Sequence, residues 1–284
     1  MAEVPREQRK LKRWRRRDLN TNLLQVCREL RPRRLQGLLL DAAVWLCCDD
    51  DVVHCLDTLC FGNLDGGAGT AAYVRGLLEA AGAPVAGDKA VRLSLDEAFF
   101  MAYALELLTV HDLRDGAAVL LDTSALWQRL LQLRRDFFLL YLAYHHFRSK
   151  GWIPRTGLQY GCDLVLYQRH PALTHSDYAV TIVPLPPAGG GAARAEDQRP
   201  ALGWHDLQIS NRLAAQVSKK LLLLYVQDQG GGSGDRSTPH CLARMAVHER
   251  LLRRWVPESH RPPGMAGSGG GGASGAGVNG GGKR

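Results

Sequence analysis

Arg148-Ser-Lys-Gly-Trp-Ile-Pro-Arg-Thr-Gly-Leu-Gln-Tyr-Gly-Cys-Asp-Leu-Val-Leu-Tyr-Gln-Arg-His-Pro-Ala-Leu-Thr-His-Ser-Asp-Tyr-Ala179 is the stretch from which the rest of the chain can be read. A helix stops at Gly151, where glycine suits the left-handed position that ends helices. A glycine-punctuated connection follows, then a short apolar strand ending at Tyr167. Strand alternation sets Val165 and Tyr167 on one face and Leu164 and Leu166 on the other. A basic loop carrying His170 and His175 leads into a second strand, Tyr178 to Leu185. Spacing alone does not choose between the two histidines.

Downstream, Trp204 to Ser218 has a helical pattern, and Leu221 to Val226 is a continuous apolar run typical of a buried strand. Lys219 sits at the junction between them. Tyrosine, histidine and lysine together meet the needs of metal-free RNA cleavage. The 2′-hydroxyl must lose a proton, the leaving 5′-oxygen must gain one, and the phosphorane between them needs positive charge. Each residue taken alone has a plainer reading: a buried ring, a loop imidazole, a lysine snorkelling beside a strand.

Upstream, apolar runs over Leu38–Leu40 and Ala42–Leu46, an acidic break at Asp49–Asp51 and Val52–Leu59 read as strand, turn and helix. Gly66 to Gly87 reads as poorly structured or only partly helical, because glycine weakens helix interiors. Val91–Leu93 is a short strand, and Ser94-Leu-Asp-Glu97 is a capping box. Phe99, Phe100, Tyr103, Leu107 and Leu108 follow at near-helical spacing as core residues. Ser124 is the expected cap of one long helix running from Ala125 to Lys150. His145 and His146 near its end suit the helix dipole. Cys241 to Trp255 is ambiguous between helix and strand.

The chain has 284 residues and a formal charge of +8. Residues 1–17 hold eight Arg/Lys against two acids. Such an arm reads as a nuclear address or a phosphate-backbone contact, or as a merely solvated terminus. No apolar run reaches the roughly 18 residues that span a bilayer, and the start is too basic for a secretory signal. The expectation is an intracellular protein without a membrane segment. Cys47, Cys48, His54, Cys55 and Cys60 invite a zinc reading, but they lack a clean Cys-x-x-Cys pair, and their apolar neighbours favour core packing. No metal or cofactor is expected.

Four motifs stand in order: Tyr141-x-x-Tyr-His-His-Phe-Arg-Ser-Lys-Gly-Trp152, Gly157-Leu-Gln-Tyr-Gly-Cys-Asp-Leu-Val-Leu-Tyr167, His175-Ser-Asp-Tyr178 and Arg212-Leu-Ala-Ala-Gln-Val-Ser-Lys219. Together they resemble the tRNA-splicing endonuclease (tRNA-intron lyase) family, in the form of its eukaryotic catalytic subunits that cut the 5′ splice site, similar to those of plants. Cys60-Phe-Gly62, Leu95-Asp-Glu-Ala-Phe-Phe100 and Arg253-Arg-Trp255 extend the resemblance over roughly residues 40 to 260.

The resemblance implies that Tyr167 is the general base, His175 rather than His170 the general acid, and Lys219 the transition-state stabiliser. Arg212 and Trp255 match the pair that grips an RNA base by cation–π and stacking contacts. It also implies precursor tRNA as substrate, a heterotetramer with a second catalytic and two structural subunits, and nuclear work. An ordinary tyrosine is only about 0.1% ionised at pH 7. A nearby cation or proton transfer concerted with attack is therefore required.

The expected fold is α/β (α+β): a basic arm over 1–35, an N-terminal α/β region over 36–115, and a catalytic domain over 124–262 with a small mixed sheet flanked by helices. A flexible insertion is expected at 188–201 and a disordered glycine-rich tail at 264–284. On the resemblance, Ala243 to Trp255 is taken as strand. Three rivals remain. A metal nuclease built on Asp163 and Lys219 would want a carboxylate two residues before the lysine, where Val217 stands. A purely structural subunit of the same complex, or a generic RNA-binding protein, leaves Tyr167, His175 and Lys219 unexplained.

Overall fold

The computed structural model describes residues 23–65, 67–188, 199, 202–230 and 235–252. It begins with a helix, α1 (Leu23–Leu30), and an apolar hairpin, β1 (Leu35–Leu40) and β2 (Ala43–Cys48). The run before the acidic break is therefore two strands rather than one, turned at Asp41 with a φ of 53°. Asp49 caps α2 (Asp50–Thr58), its carboxylate accepting from the Val52 amide at 2.8 Å. β3 (Asn63–Asp65) leads to α3 (Ala68–Ala80), which makes the Gly66–Gly87 segment partly helical, the second of the two expectations for it. Burial decides between them. Ala71, Val74 and Leu78 recur on one helical face and pack on Leu38, Cys47 and Ala90 of the sheet below, outweighing the glycine penalty of about 1 kcal/mol per residue.

β4 (Lys89–Leu93) precedes the capping box at Ser94. Both halves form: the Glu97 amide donates to Ser94 Oγ at 3.2 Å, and the Ser94 amide to Glu97 Oε2 at 2.9 Å. The helix so started, α4 (Leu95–Phe99), loosens into a π turn over Phe100–Ala104. Leu108 already belongs to β5 (Leu108–Arg114), so the helical spacing expected at Leu107 and Leu108 is overturned by strand pairing with β1. β6 (Ala117–Leu121) completes the first sheet, ordered β3-β4-β2-β1-β5-β6, with only β1 and β5 parallel.

The single helix expected over 125–150 is two. α5 (Thr123–Leu133) is capped by Asp122, not Ser124: the Asp122 carboxylate accepts from the Ala125 amide at 2.7 Å. α6 (Phe137–Ser149) follows an extended break at Arg134. Arg134 leaves helical geometry to grip both oxygens of Asp96, at 2.9 and 3.0 Å. Lys150 then caps α6, and Gly151 takes a φ of 86°, as its position demands.

β7 (Ile153–Thr156), β8 (Leu164–Tyr167), β9 (Tyr178–Pro184), α7 (Trp204–Gln216), β10 (Lys220–Asp228) and β11 (Met245–Leu252) build the second sheet, ordered β11-β10-β9-β8-β7. Only β9 and β10 run parallel, joined across α7. The ambiguous segment after Cys241 is a strand over Met245–Leu252, paired antiparallel with β10.

Two mixed sheets flanked by helices thus form an α/β fold. Phe99, Trp127, Phe137 and Tyr141, all fully buried, interlock between the sheets; Phe99 lies 5.0 Å from Trp127 and 4.8 Å from Tyr141, centroid to centroid. The core around them takes Leu39 and Val44 from the first sheet and Leu164, Leu166 and Val180 from the second. α3 covers the outer face of the first sheet and α7 that of the second. Arg155 also crosses between the halves, its guanidinium 2.7 Å from Glu97. Cys47 and Cys48 enter opposite cores, one under α3 and one in the centre. Neighbouring strand residues point to opposite faces, so these two cannot share a metal ion. The basic arm over 1–17, nearly all of the 188–201 insertion, and the 264–284 tail lie outside the described residues. No helix among the described residues is long and apolar enough to cross a membrane.

Candidate active site

Three strands of the second sheet end together. The Asp177 amide donates to the Leu166 carbonyl at 2.9 Å, and the Asp177 carbonyl accepts from the Lys220 amide at 3.0 Å. Leu166 and Lys220 are both register partners of Tyr178. Tyr167, the last residue of β8, therefore ends level with the start of β9, and Lys219, just before β10, starts level with it. Neighbouring strands lie about 4.8 Å apart, so the Tyr167 and Lys219 backbones flank β9 at about 10 Å. His175 sits in the loop entering β9, exposed, while the next residue, Ser176, is buried.

Alternation also sets the face. Leu164 and Leu166 enter the central core, so Tyr167 and Val165 point to the α7 side, where Ala179 and Leu221 pack. The expected alternation holds. Lys219 shares the parity of Leu221 and falls on the same side. Its amide donates to the Ala214 carbonyl at 2.8 Å, after a turn in which Ser218 takes a φ of 55°. Tyr167 is half-buried, and Lys219 is only 9% exposed.

His170 lies elsewhere. Its Nε2 is 3.0 Å from the Asp57 carbonyl and 3.6 Å from the Asp57 carboxylate, on α2. Hydrogen bonding to Asp57, then to Cys60, raises its pKa to about 10 despite burial. Asp163 is likewise committed: its carboxylate accepts from the Ile182 amide and from Arg199, each at 2.7 Å. It stands at the opposite end of β8, about 13 Å from Tyr167 at about 3.3 Å per residue.

Arg212 is exposed on α7, two residues before the buried Ala214 that packs on the sheet. β11 reaches this same end of the sheet, with Leu252 opposite Leu221. Trp255 lies outside the described residues. One residue beside Lys219 escaped the sequence reading. Tyr160 lies on the one-turn Leu158–Tyr160 helix, and the Lys219 ammonium sits 4.4 Å from the centroid of its ring. Its flanking glycine, Gly161, was the available signal.

Residues 137–232 match the family described as tRNA intron endonuclease, catalytic C-terminal domain. That span holds Tyr167, His175, Arg212 and Lys219. The chain is 35% identical over 226 residues to the tRNA-splicing endonuclease subunit Sen2-1 of Arabidopsis thaliana, covering 79% of this chain and 82% of the relative. It belongs to the tRNA-splicing endonuclease Sen2 family. The Sen2 subunit of Mus musculus is 38% identical over 172 residues, which cover 60% of this chain but 35% of the mouse protein. A probable Sen2 of Oryza sativa subsp. japonica is 35% identical over 171 residues, covering 60% of this chain and 55% of the relative. This Sen2-family chain thus spans most of one relative and about a third to a half of the others.

Proposed function

We propose that this chain is a catalytic subunit of a tRNA-splicing endonuclease and cuts precursor tRNA at the 5′ boundary of its intron. Tyr167 takes the proton of the 2′-hydroxyl. The 2′-oxygen attacks the adjacent phosphorus, the bond from phosphorus to the 5′-oxygen breaks, and His175 returns a proton to that oxygen. The products are a 2′,3′-cyclic phosphate and a 5′-hydroxyl. Lys219 supplies positive charge beside the phosphorane, in a partly desolvated setting where charge acts strongly. The single observation that supports this reading is the register that ends β8, β9 and β10 together, bringing the backbones of Tyr167 and Lys219 level on either side of the loop that carries His175.

Arg212 and Trp255 hold a base of the substrate between guanidinium and indole. The working enzyme is a heterotetramer with a second catalytic and two structural subunits, and it acts in the nucleus, to which the basic arm directs it. The test is to co-express the full chain with its partner subunits and analyse the ends of cleaved precursor tRNA, with and without EDTA. Cyclic phosphate and 5′-hydroxyl ends that persist in EDTA support the reading. Intact RNA from an assembled complex, or cleavage abolished by EDTA, rejects it.

A further inference from the structure

Lys219 is a nearly buried cation with an unusual neighbourhood. Among the described residues no carboxylate forms an ion pair with it; its ammonium instead lies over the Tyr160 ring, 4.4 Å from the centroid. Cys162, close enough for Lys219 to pull its thiol pKa down, is held protonated by the larger effect of burial, which leaves it at about 11. An aromatic face orients an ammonium through its quadrupole without neutralising it. A carboxylate would orient it too, but would cancel the field a phosphorane needs.

The turn that presents Tyr160 is tightly made. The Tyr160 amide donates to the Gly157 carbonyl at 2.8 Å, and that oxygen also receives the Cys162 amide at 3.3 Å. A Cβ at Gly157 would lie 2.5 Å from Cys162 Sγ, so only glycine permits this closure. Gly161 takes a φ of 64°, and a Cβ added there would come within 3.9 Å of Leu213 on α7, the helix that delivers Lys219.

We propose that Tyr160 is a positioning residue for Lys219: its ring face holds the ammonium in one orientation on the α7 side of the sheet without neutralising its charge. This rests on the reading of Lys219 given above. Its role runs through Lys219 and the ring face, so its hydroxyl is dispensable and its ring is not.

The experiment uses the full chain assembled with its partner subunits, measuring single-turnover cleavage and precursor-tRNA affinity separately. Tyr160→Leu slows cleavage about tenfold or more, the scale of a desolvated cation–π contact, with affinity unchanged within about threefold. Tyr160→Phe cuts like wild type. In a Lys219→Ala background, followed in long incubations, Tyr160→Leu causes no further loss, because the two residues act as one unit. Melting of each assembled variant establishes folding, and Tyr160→Met replaces a Leu variant that does not fold. Loss of cleavage in Tyr160→Phe overturns the proposal, since the hydroxyl would then be doing chemistry. So does normal cleavage by Tyr160→Leu, or its full effect persisting without Lys219. A wild-type complex that binds tRNA but does not cut removes the reading of the site itself, and this proposal with it.

Discussion

His170 Nε2 lies 3.0 Å from the carbonyl of Asp57, a residue 113 positions away in the chain, and so ties the loop before β9 to α2. The Asp57 carboxylate, 3.6 Å away, and then the Cys60 side chain raise the histidine pKa to about 10. Folding thus favours the protonated ring. Its contribution is complete below the unfolded value of about 6.5 and is lost as pH rises through about 10. His170→Ala should cost about 1.5–3 kcal/mol at pH 6, with a smaller difference from wild type at pH 10, measured by urea melts. Cleavage by this variant should stay within about threefold of wild type.

Tyr167→Phe and His175→Ala should each abolish cutting at one splice site while precursor-tRNA binding persists. Each acid–base group is worth about 10²–10⁴ in rate. Gel analysis of splice-site products from the assembled complex checks this, and normal cutting by either variant contradicts the assignment. The contrast with His170→Ala separates the two histidines of the loop.

Asp163 joins β8 to β9 by accepting from the Ile182 amide and pairs with Arg199, both at 2.7 Å. Asp163→Ala should lower stability by about 1–3 kcal/mol. Single-turnover cleavage, measured well below the melting temperature, should remain within about tenfold of wild type and be insensitive to EDTA. A total loss restored by added divalent cation would instead make Asp163 a metal ligand.

Arg134→Ala strips Asp96 of the Nη2 group that donates to both of its oxygens. Asp96 is largely buried and its carboxyl is already pushed upward, chiefly by burial. Leaving such a charge unpaired typically costs about 3–5 kcal/mol. Chemical denaturation should show a loss on that scale, and Arg134→Lys, whose single ammonium cannot also keep the Nε contact to Asp136 at 3.2 Å, should recover only part of it.

Gly157→Ala places a methyl group 2.5 Å from Cys162 Sγ and 2.7 Å from the Cys162 carbonyl. The turn must shift, costing about 1–3 kcal/mol in melts. Because the same turn carries Tyr160, cleavage at full folding should also fall. Unchanged cleavage with a lowered melting temperature would separate the turn from the site.

Local chemistry was readable from the chain alone. Ser94 and Glu97 close their box within one helical turn, Gly151 ends α6, and alternation aims Tyr167 away from Leu166, because each depends on bonds or geometry within a few residues. The motifs around Tyr167, His175 and Lys219 also carried the family. Long-range packing decided the rest. α3 forms from a glycine-rich segment because Ala71, Val74 and Leu78 find a sheet to cover. The helix after Asp122 breaks because Arg134 finds Asp96. Asp57 occupies His170, and Tyr160 meets Lys219, only once the strand order has brought distant segments side by side. A sequence states what each residue prefers near itself; which partner a side chain meets depends on strand order and burial, which arise only when the whole core closes.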